Sequence, residues 1–375
     1  MHAPSSPASL LDARPLVDAL LTDAISQQAS DIHIEPNADG CEVRFRIDGL
    51  LQTVQHLDTA AGRAVVTRLM VMAKLLTYRL DVPQEGRISF TAQSFSNSPS
   101  SAAPAMDLRL AVMPTLHGLR AAVRMPAEQT SPAELGDLGL GERVLTALQN
   151  FANSASGMLI LTGPAGSGKT TTIYALLRRI ARDCPGVSII ALEDPVERDL
   201  PGITQIEVSP FGQLTYERAL RSILRQDPQV LMLGEVRDAA TASLAIQAAL
   251  SGHRLITTLH AAAPSGAIAR LIEMGIEPYQ ITSSLVGIVN QRLARRRTDD
   301  GNYRGRLPIA EWVAVDSQLK KAILARADAD ELAAIYIRQP GYQSLPQAAE
   351  GLIQQGITDA AEIARILPQS AAENL

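Results

Sequence analysis

The sequence predicts an α/β protein: a mainly parallel sheet with helices on both faces, preceded by a small α+β domain. Three observations predict it. From residue 158 onward, short apolar runs (MLIL, VSIIAL, VLML, RLITTL) alternate with stretches whose apolar residues recur at helical spacing. That alternation is what helical crossovers between parallel strands produce. Ahead of it, SDIHIEP and EVRFRIDGLLQ alternate apolar and polar residues, the period of strands with one polar face. Finally, the first apolar run opens into GPAGSGKT (Gly163–Thr170) and a helical pattern, the strand–loop–helix context of a phosphate-binding loop.

Bulk composition narrows the function classes. A chain of 375 residues, 46% hydrophobic and 19% charged, is globular and long enough for two or three domains. Its net charge of −5 and its 3% aromatic content give no footing for nucleic acid, and no nucleic-acid partner is expected. Cys41 and Cys184 lie far apart with no C-x-x-C, so neither a zinc site nor a disulfide framework is expected. The N-terminus MHAPSSPASLLDARPL lacks the basic and apolar regions of a signal peptide. No run approaches the roughly 18 apolar residues of a membrane span. A cytoplasmic chain able to dock on a membrane complex is the expectation.

Taken in order, residues 1–9 are Pro/Ser/Ala-rich and expected to be loose. A small domain follows over 10–126. It opens with a helix whose stripe is Leu16, Leu20, Leu21 and Ile25. In the next run, Asp31, His33 and Glu35 share one strand face, and Arg44, Arg46 and Asp48 share a face of its partner after the NADG turn. These groups form either a site or a salt-bridged, solvated face. Ala61–Leu76 predicts a second helix, and Asp81–Phe90 and Met106–Met125 predict further strands. Between them, the Ser/Pro/Ala-rich insert 91–105 is expected to be a flexible excursion. Residues 127–140 are the expected linker, and 141–375 the second domain. There, helices are predicted at Glu142–Ala152, Leu214–Arg225 and Thr241–Leu250, and from Ser265. Beyond Gly275 the pattern is mainly helical, with room for a strand at Leu307–Val315.

The chemistry starts at the Gly-rich loop. Gly163, Pro164, Ala165, Gly166, Ser167, Gly168, Lys169, Thr170 and Thr171 are the candidate nucleotide-binding residues. Glycines allow backbone conformations that aim N–H groups at phosphate oxygens, and a helix N-terminus adds positive potential there. Lys169 is placed to reach the β- and γ-phosphates, and the Thr170 hydroxyl to ligate Mg²⁺. Such enzymes need an acid at a nearby strand end. Glu193 and Asp194 end SIIAL, and Glu235 follows VLML with Gly234 where an Asp is usual. Glu193 and Glu235 are therefore candidates for holding Mg²⁺, partly through water. His260 ends RLITTL, where an imidazole can face the γ-phosphate or hold a water, or can be structural.

Together these motifs resemble the secretion ATPases of type II secretion and type IV pilus machines. GPAGSGKT is similar to the family's Walker A, LEDPVE (Leu192–Glu197) to its Asp box, RSILRQDPQVLMLGEVRD (Arg221–Asp238) to its Walker B signature, and GHRLITTLH (Gly252–His260) to its His box. SDIHIEP, PQEGRI and MPTLHGLR resemble its PAS-like N-terminal domain. The resemblance implies a RecA-like P-loop NTPase core and a homo-hexameric ring hydrolysing ATP, with Glu235 catalytic, Glu193 supporting Mg²⁺ and water, and His260 at the phosphate end. It also implies N-terminal-domain arginines that complete the site, for which Arg87 and Arg109 match best, with Arg120 and Arg124 behind them. The implied work is pilin or pseudopilin assembly at an inner-membrane platform protein, with the chain peripheral to the membrane.

LRSILRQDP and AIQAALSGH favour the assembly branch, and the short form makes competence-type motors an option. Three departures from the family stand out: the expected lack of its extra N-terminal domain, RTDDGNYRGRLP in place of a tetracysteine zinc loop, and Leu119 where HGER has a Glu. The basic cluster Arg292/Arg295/Arg296/Arg297 can face an acidic partner or a membrane surface, with a solvated helix end the bland alternative and the expectation. A retraction motor, a RecA-like DNA translocase and a non-motor nucleotide-binding regulator are the rival readings.

Overall fold

The computed structural model describes residues 12–91, 106–126, 134–209 and 212–367. They fall in two compact units, Met1–Gln129 and Thr130–Leu375. The loose stretch expected at 1–9, and all of the insert 91–105 after its first residue, lie outside the described residues.

The first unit runs α1 (Ala13–Ser26), β1 (Asp31–Asn37), β2 (Gly40–Ile47), β3 (Leu50–Leu57), α2 (Thr59–Met72), β4 (Gln84–Phe90), β5 (Met106–Thr115) and β6 (Gly118–Arg124). Both helices begin where an aspartate caps them: Asp12 accepts from the Arg14 amide and Asp58 from the Ala61 amide. The strands form one antiparallel sheet, ordered β3-β2-β1-β6-β5-β4. Alternation sends Ile32, Ile34, Val43, Phe45, Leu108, Leu110 and Val123 into a core shared with Val17, Leu21, Val65 and Leu69 of the helices. The other face is polar. EVRFRIDGLLQ, expected as a single strand, is a hairpin, with Asp48 and Gly49 both at positive φ between β2 and β3. Asp-Gly between alternating runs is a strong hairpin signal, and the apolar pattern continuing across it hid the reversal.

Residues 127–133 of the expected linker lie outside the described residues, but Leu135–Leu138 forms a 3₁₀ turn. Leu135, Leu138 and Leu140 are buried with α3 (Glu142–Ala152) and the helix of the Gly-rich loop. After α3 come β7 (Gly157–Thr162), α4 (Lys169–Asp183), β8 (Ile189–Glu193), β9 (Thr204–Glu207), α5 (Tyr216–Ile223), β10 (Val230–Leu233), α6 (Ala239–Leu250), β11 (Arg254–Leu259), α7 (Pro264–Glu273) and α8 (Pro278–Ser284). Two long strands follow, β12 (Leu285–Arg297) and β13 (Tyr303–Ala314), then α9 (Ser317–Leu324), α10 (Ala329–Tyr336), α11 (Leu345–Gln354) and α12 (Ala360–Ile366).

The sheet order is β13-β12-β7-β11-β10-β8-β9, parallel except for β12 against β13. Separate apolar clusters cover its two faces. Among the described residues no helix is long and apolar enough to cross a membrane.

β12 is the main departure from expectation: the stretch read as mainly helical is strand, and QRLARR is its second half, not a helix end. Asn290, Gln291 and Arg292 are buried. Arg295 donates to Glu362 of α12 at 2.9 Å and stacks over Tyr303 at 3.9 Å. Glu362 also accepts from the Arg295 amide and from Arg365. Its burial would raise its pKa, but the two guanidinium partners outweigh that and hold the carboxyl down at about 2.

The sign of the linkage follows from this depression. Glu362's contribution is full above its ordinary value of 4.5 and is lost as pH falls towards about 2. In urea unfolding at pH 7, Glu362→Gln is expected to cost about 2 kcal/mol, because the buried carboxylate's charge-assisted bonds to half-buried Arg295 and exposed Arg365 are lost. The gap to wild type should close as pH is lowered below 4.5. A gap that does not depend on pH would contradict this account of α12.

Candidate nucleotide-binding site

In the parallel part of the sheet, β7, β11, β10 and β8 are neighbours, so their carboxyl ends line up. The segments that leave those ends carry the Gly-rich loop, His260, Glu235 and Glu193 in that order across the sheet. This is where ligands sit in open α/β sheets.

The loop between β7 and α4 is held by glycines that no other residue could replace. Gly163 (φ 135°) and Gly168 (φ 86°) both adopt left-handed backbone. A Cβ on Gly163 would overlap the Gln291 carbonyl and lie 2.8 Å from Ser167 Oγ; one on Gly168 would lie 2.7 Å from Gln291 Nε2. The buried Ser167 hydroxyl has no hydrogen-bond partner. Lys169 is buried and donates from Nζ to the carbonyls of Gly163 (2.9 Å) and Pro164 (2.8 Å). Burial, and then the charge of Arg292, push its pKa down, while Glu235 pulls the other way. Thr170 and Thr171, half-buried, begin the helix beside it.

A bed of left-handed glycines, an unpartnered buried hydroxyl and a lysine resting on neutral carbonyls fits a polyphosphate. Thr170 and Glu235 supply the hard oxygen donors that a Mg²⁺ ion bound with it would take.

Glu235 is the acid that the geometry favours. Its side chain is 17% exposed, ion-paired with Arg237 and 3.2 Å from His260 Nε2. Arg237 also lies 3.6 Å from Asp194, so one cation spans the ends of two adjacent strands. Gly234, where an Asp is usual, has a steric cause. A Cβ there would lie 2.7 Å from the Tyr216 hydroxyl and 3.3 Å from the Leu192 carbonyl. The Gly234 amide donates to that carbonyl at 2.8 Å, and Thr258 Oγ1 donates to the Gly234 carbonyl at 2.7 Å. The turn into Glu235 is thereby fixed from both sides.

Glu193 stands differently from its expected role. It is buried, and its two oxygens accept from the hydroxyl of Tyr174 on α4 and from Gln205 Nε2 at 2.8 Å. Burial raises its pKa, against the pull of those two donors. As placed, it braces β8 against the helix of the Gly-rich loop.

In the first unit, strand register sets Arg87 opposite Arg109, Arg109 opposite Arg124, Arg124 opposite Asp31, and Asp31 opposite Arg46. Four arginines thus share a transverse row with one carboxylate on the polar face. Arg46 is taken by Asp31 at 3.2 Å. Arg120 lies outside this row and is bound to Glu35 at 3.0 Å and to His33 at 2.9 Å. Arg124, ranked behind Arg87 and Arg109 from sequence, is their equal in position. Glu35 also pairs with Arg44, so the Asp31/His33/Glu35 face is salt-bridged.

Two groups of the site escaped the sequence reading, Gln291 beside the loop and Tyr216 beside Gly234, and Arg292, read as part of a basic cluster at a helix end, is buried beside the loop instead. Gln291 donates to the Ser167 carbonyl at 2.8 Å and accepts from Thr172 Oγ1 at 2.9 Å. The only signal for Gln291 and Arg292 was three consecutive polar residues, Asn290–Arg292, interrupting an apolar run.

Comparison with known proteins bears on the family and the fold. A family model described as Type II/IV secretion system protein matches residues 10–365. The type II secretion system protein HxcR of Pseudomonas aeruginosa is 38% identical over 371 residues, covering 94% of this chain and 76% of HxcR. The type IV pilus assembly ATPase PilB of Thermus thermophilus is 35% identical over 389 residues, covering 94% of this chain but 42% of PilB. The X-ray structure of the ATPase DotB from Legionella pneumophila matches with a TM-score of 0.72 at 20% identity, covering 97% of each chain. That likeness speaks for the fold, which is RecA-like.

Gly234→Ala is expected to lower stability by about 1–3 kcal/mol, the usual cost of overpacking. Adding Tyr216→Phe, which removes the nearest atom, should restore most of it. Thermal unfolding of the two single variants and the double variant checks this, and simple additivity would show that Tyr216 is not the obstacle.

Proposed function

This chain belongs to the type II/IV secretion system protein family, and from that premise we propose that it is a motor ATPase that hydrolyses ATP to ADP and phosphate. The observation that carries the proposal is Glu235, fixed at a strand end beside the Gly-rich loop with His260 Nε2 at 3.2 Å. Loop amides and Lys169 bind the β- and γ-phosphates; Lys169 exchanges its carbonyl partners for phosphate oxygens. Thr170 and Glu235 would hold Mg²⁺, Glu235 partly through water, and the ion would supply charge neutralisation at the phosphoryl oxygens. Glu235 orients the attacking water and takes its proton, and His260 steadies the carboxylate that does so. Glu193 contributes through Tyr174, by keeping β8 and α4 in place.

In this proposal the chain works as a homo-hexameric ring in the cytoplasm, peripheral to the inner membrane, where it drives pilin or pseudopilin assembly through a platform protein. Arg87 and Arg109 stabilise transition-state charge in a neighbouring copy's reaction. Their register supports this: Arg87 lies opposite Arg109, so both side chains leave the same face of the sheet together.

The test measures ATPase rate against protein concentration, with mass by light scattering. Specific activity should rise together with a hexamer mass. Glu235→Gln should lower kcat on the order of 10²–10⁴-fold with nucleotide binding retained. Lys169→Ala should lose binding as well, and Arg109→Ala should lower kcat while monomer stability is unchanged. A Glu235→Gln variant with full activity would turn attention to a non-motor regulator, and activity stimulated by DNA to a translocase.

A further inference from the structure

Asn290, Gln291 and Arg292 sit in the middle of β12, beside β7, and all three are buried. Arg292 is the unusual one. Its guanidinium donates from Nη1 to Asn290 Oδ1 (2.8 Å) and to the Gln291 carbonyl (3.0 Å), and from Nη2 to the Ala262 carbonyl (2.9 Å). All three acceptors are neutral. A buried cation bonded only to neutral oxygens is costly; the Glu311 carboxylate offsets part of that from beyond Asn290, and the charge of Lys169 nearby adds to it. A neutral amide could tie two backbone segments at lower cost, so the charge and the fork need a reason.

The two ends of the fork supply that reason. The Gln291 carbonyl it grips is the atom against which Gly163 packs, and a Cβ on Gly163 would lie 3.2 Å from Arg292 Nη1. Gln291 also carries the hydrogen bonds to Ser167 and Thr172. At the other end, Ala262 lies two residues beyond His260, which contacts Glu235. Asn290 Nδ2 reaches the same Ala262 carbonyl at 3.1 Å and is anchored in turn on Glu311 at 2.7 Å.

Resting on the ATPase reading above, we propose that Arg292 is a positioning residue that ties the phosphate-binding loop to the loop carrying His260. Binding at the first loop then fixes His260 against Glu235 at the second. The rigid fork of arginine suits two acceptors on different segments, where a lysine holds one.

The experiment is a double-mutant cycle of Arg292→Lys and His260→Ala. It records kcat, KM and the Kd of a fluorescent ATP analogue, with wild type and Glu235→Gln alongside. Arg292→Lys is expected to lower kcat on the order of ten- to a hundredfold, the scale of a roughly 1 Å misplacement, with Kd within about threefold. In the His260→Ala background the same change should alter kcat by less than about threefold, because residues acting as one unit are not additive. Equal losses in both backgrounds, or a rise in Kd matching the loss in kcat, would overturn the proposal.

If thermal melting shows Arg292→Lys to be unfolded, Asn290→Ala takes its place in the cycle under the same criteria, since it removes the other donor to Ala262. A wild type without ATP hydrolysis removes the ATPase reading and this one together. An active wild type, an inactive Glu235→Gln and an additive cycle remove this one alone.

Discussion

A loop that is to wrap a polyphosphate must keep its own side chains out of the space it encloses, yet it cannot be slack. The second unit meets this constraint from below. Gln291 fills the volume that Cβ atoms on Gly163 and Gly168 would need, and its amide bonds to Ser167 and Thr172 hold the loop and the first turn of α4 together. The cost is polar burial in the middle of a sheet, and the side chains of Asn290, Gln291 and Arg292 are each matched. Asn290 answers Glu311, Glu311 also accepts from Tyr342 at 2.5 Å, and Arg292 answers three oxygens. A half-satisfied network there would be worse than an apolar one. That explains why so many polar residues of β12 and β13 are committed to one another.

The first unit solves the opposite problem. Its sheet buries one face under α1 and α2 and leaves the other to charge. On much of that face opposite charges are paired off, as Asp31 with Arg46 and Glu35 with Arg120 show. Along the row through β4, β5 and β6 the register instead lines up arginines, and a two-residue period makes that arrangement hard to escape. Moving any one strand by a single residue would bury an arginine and expose a leucine or a valine. The like-charge row is therefore held by the hydrophobic pattern on the far side of the same strands.

Sequence legibility followed the same physics. Strands β7, β8, β10 and β11 were readable because strands covered on both faces are continuous apolar runs, and the Gly-rich loop because its chemistry dictates residue types at fixed spacing. β12 was not readable as strand. Its polar residues bond to partners on other segments, from Glu311 at 21 positions from Asn290 to Ser167 at 124 positions from Gln291, and a local pattern cannot distinguish that from exposure. The β2–β3 reversal was missed although Asp48-Gly49 announced it. Gly234 was recognised as anomalous, but its cause, the Tyr216 hydroxyl, comes from a different helix and needed three dimensions to be seen. Glu193 was found, but its commitment to Tyr174 and Gln205 was invisible to spacing.

The clasp between α12 and β12 has a bearing on how the chain can be cut and joined. Glu362 grips Arg295, three positions along the same strand from Arg292. The far end of the molecule in sequence is therefore next door, mechanically, to the loop that opens α4. A truncation that removes α12 as dispensable trimming would strand Arg295 in a strand whose middle supports that loop. Any fusion partner for this chain is better attached beyond residue 367 than in place of the last helix.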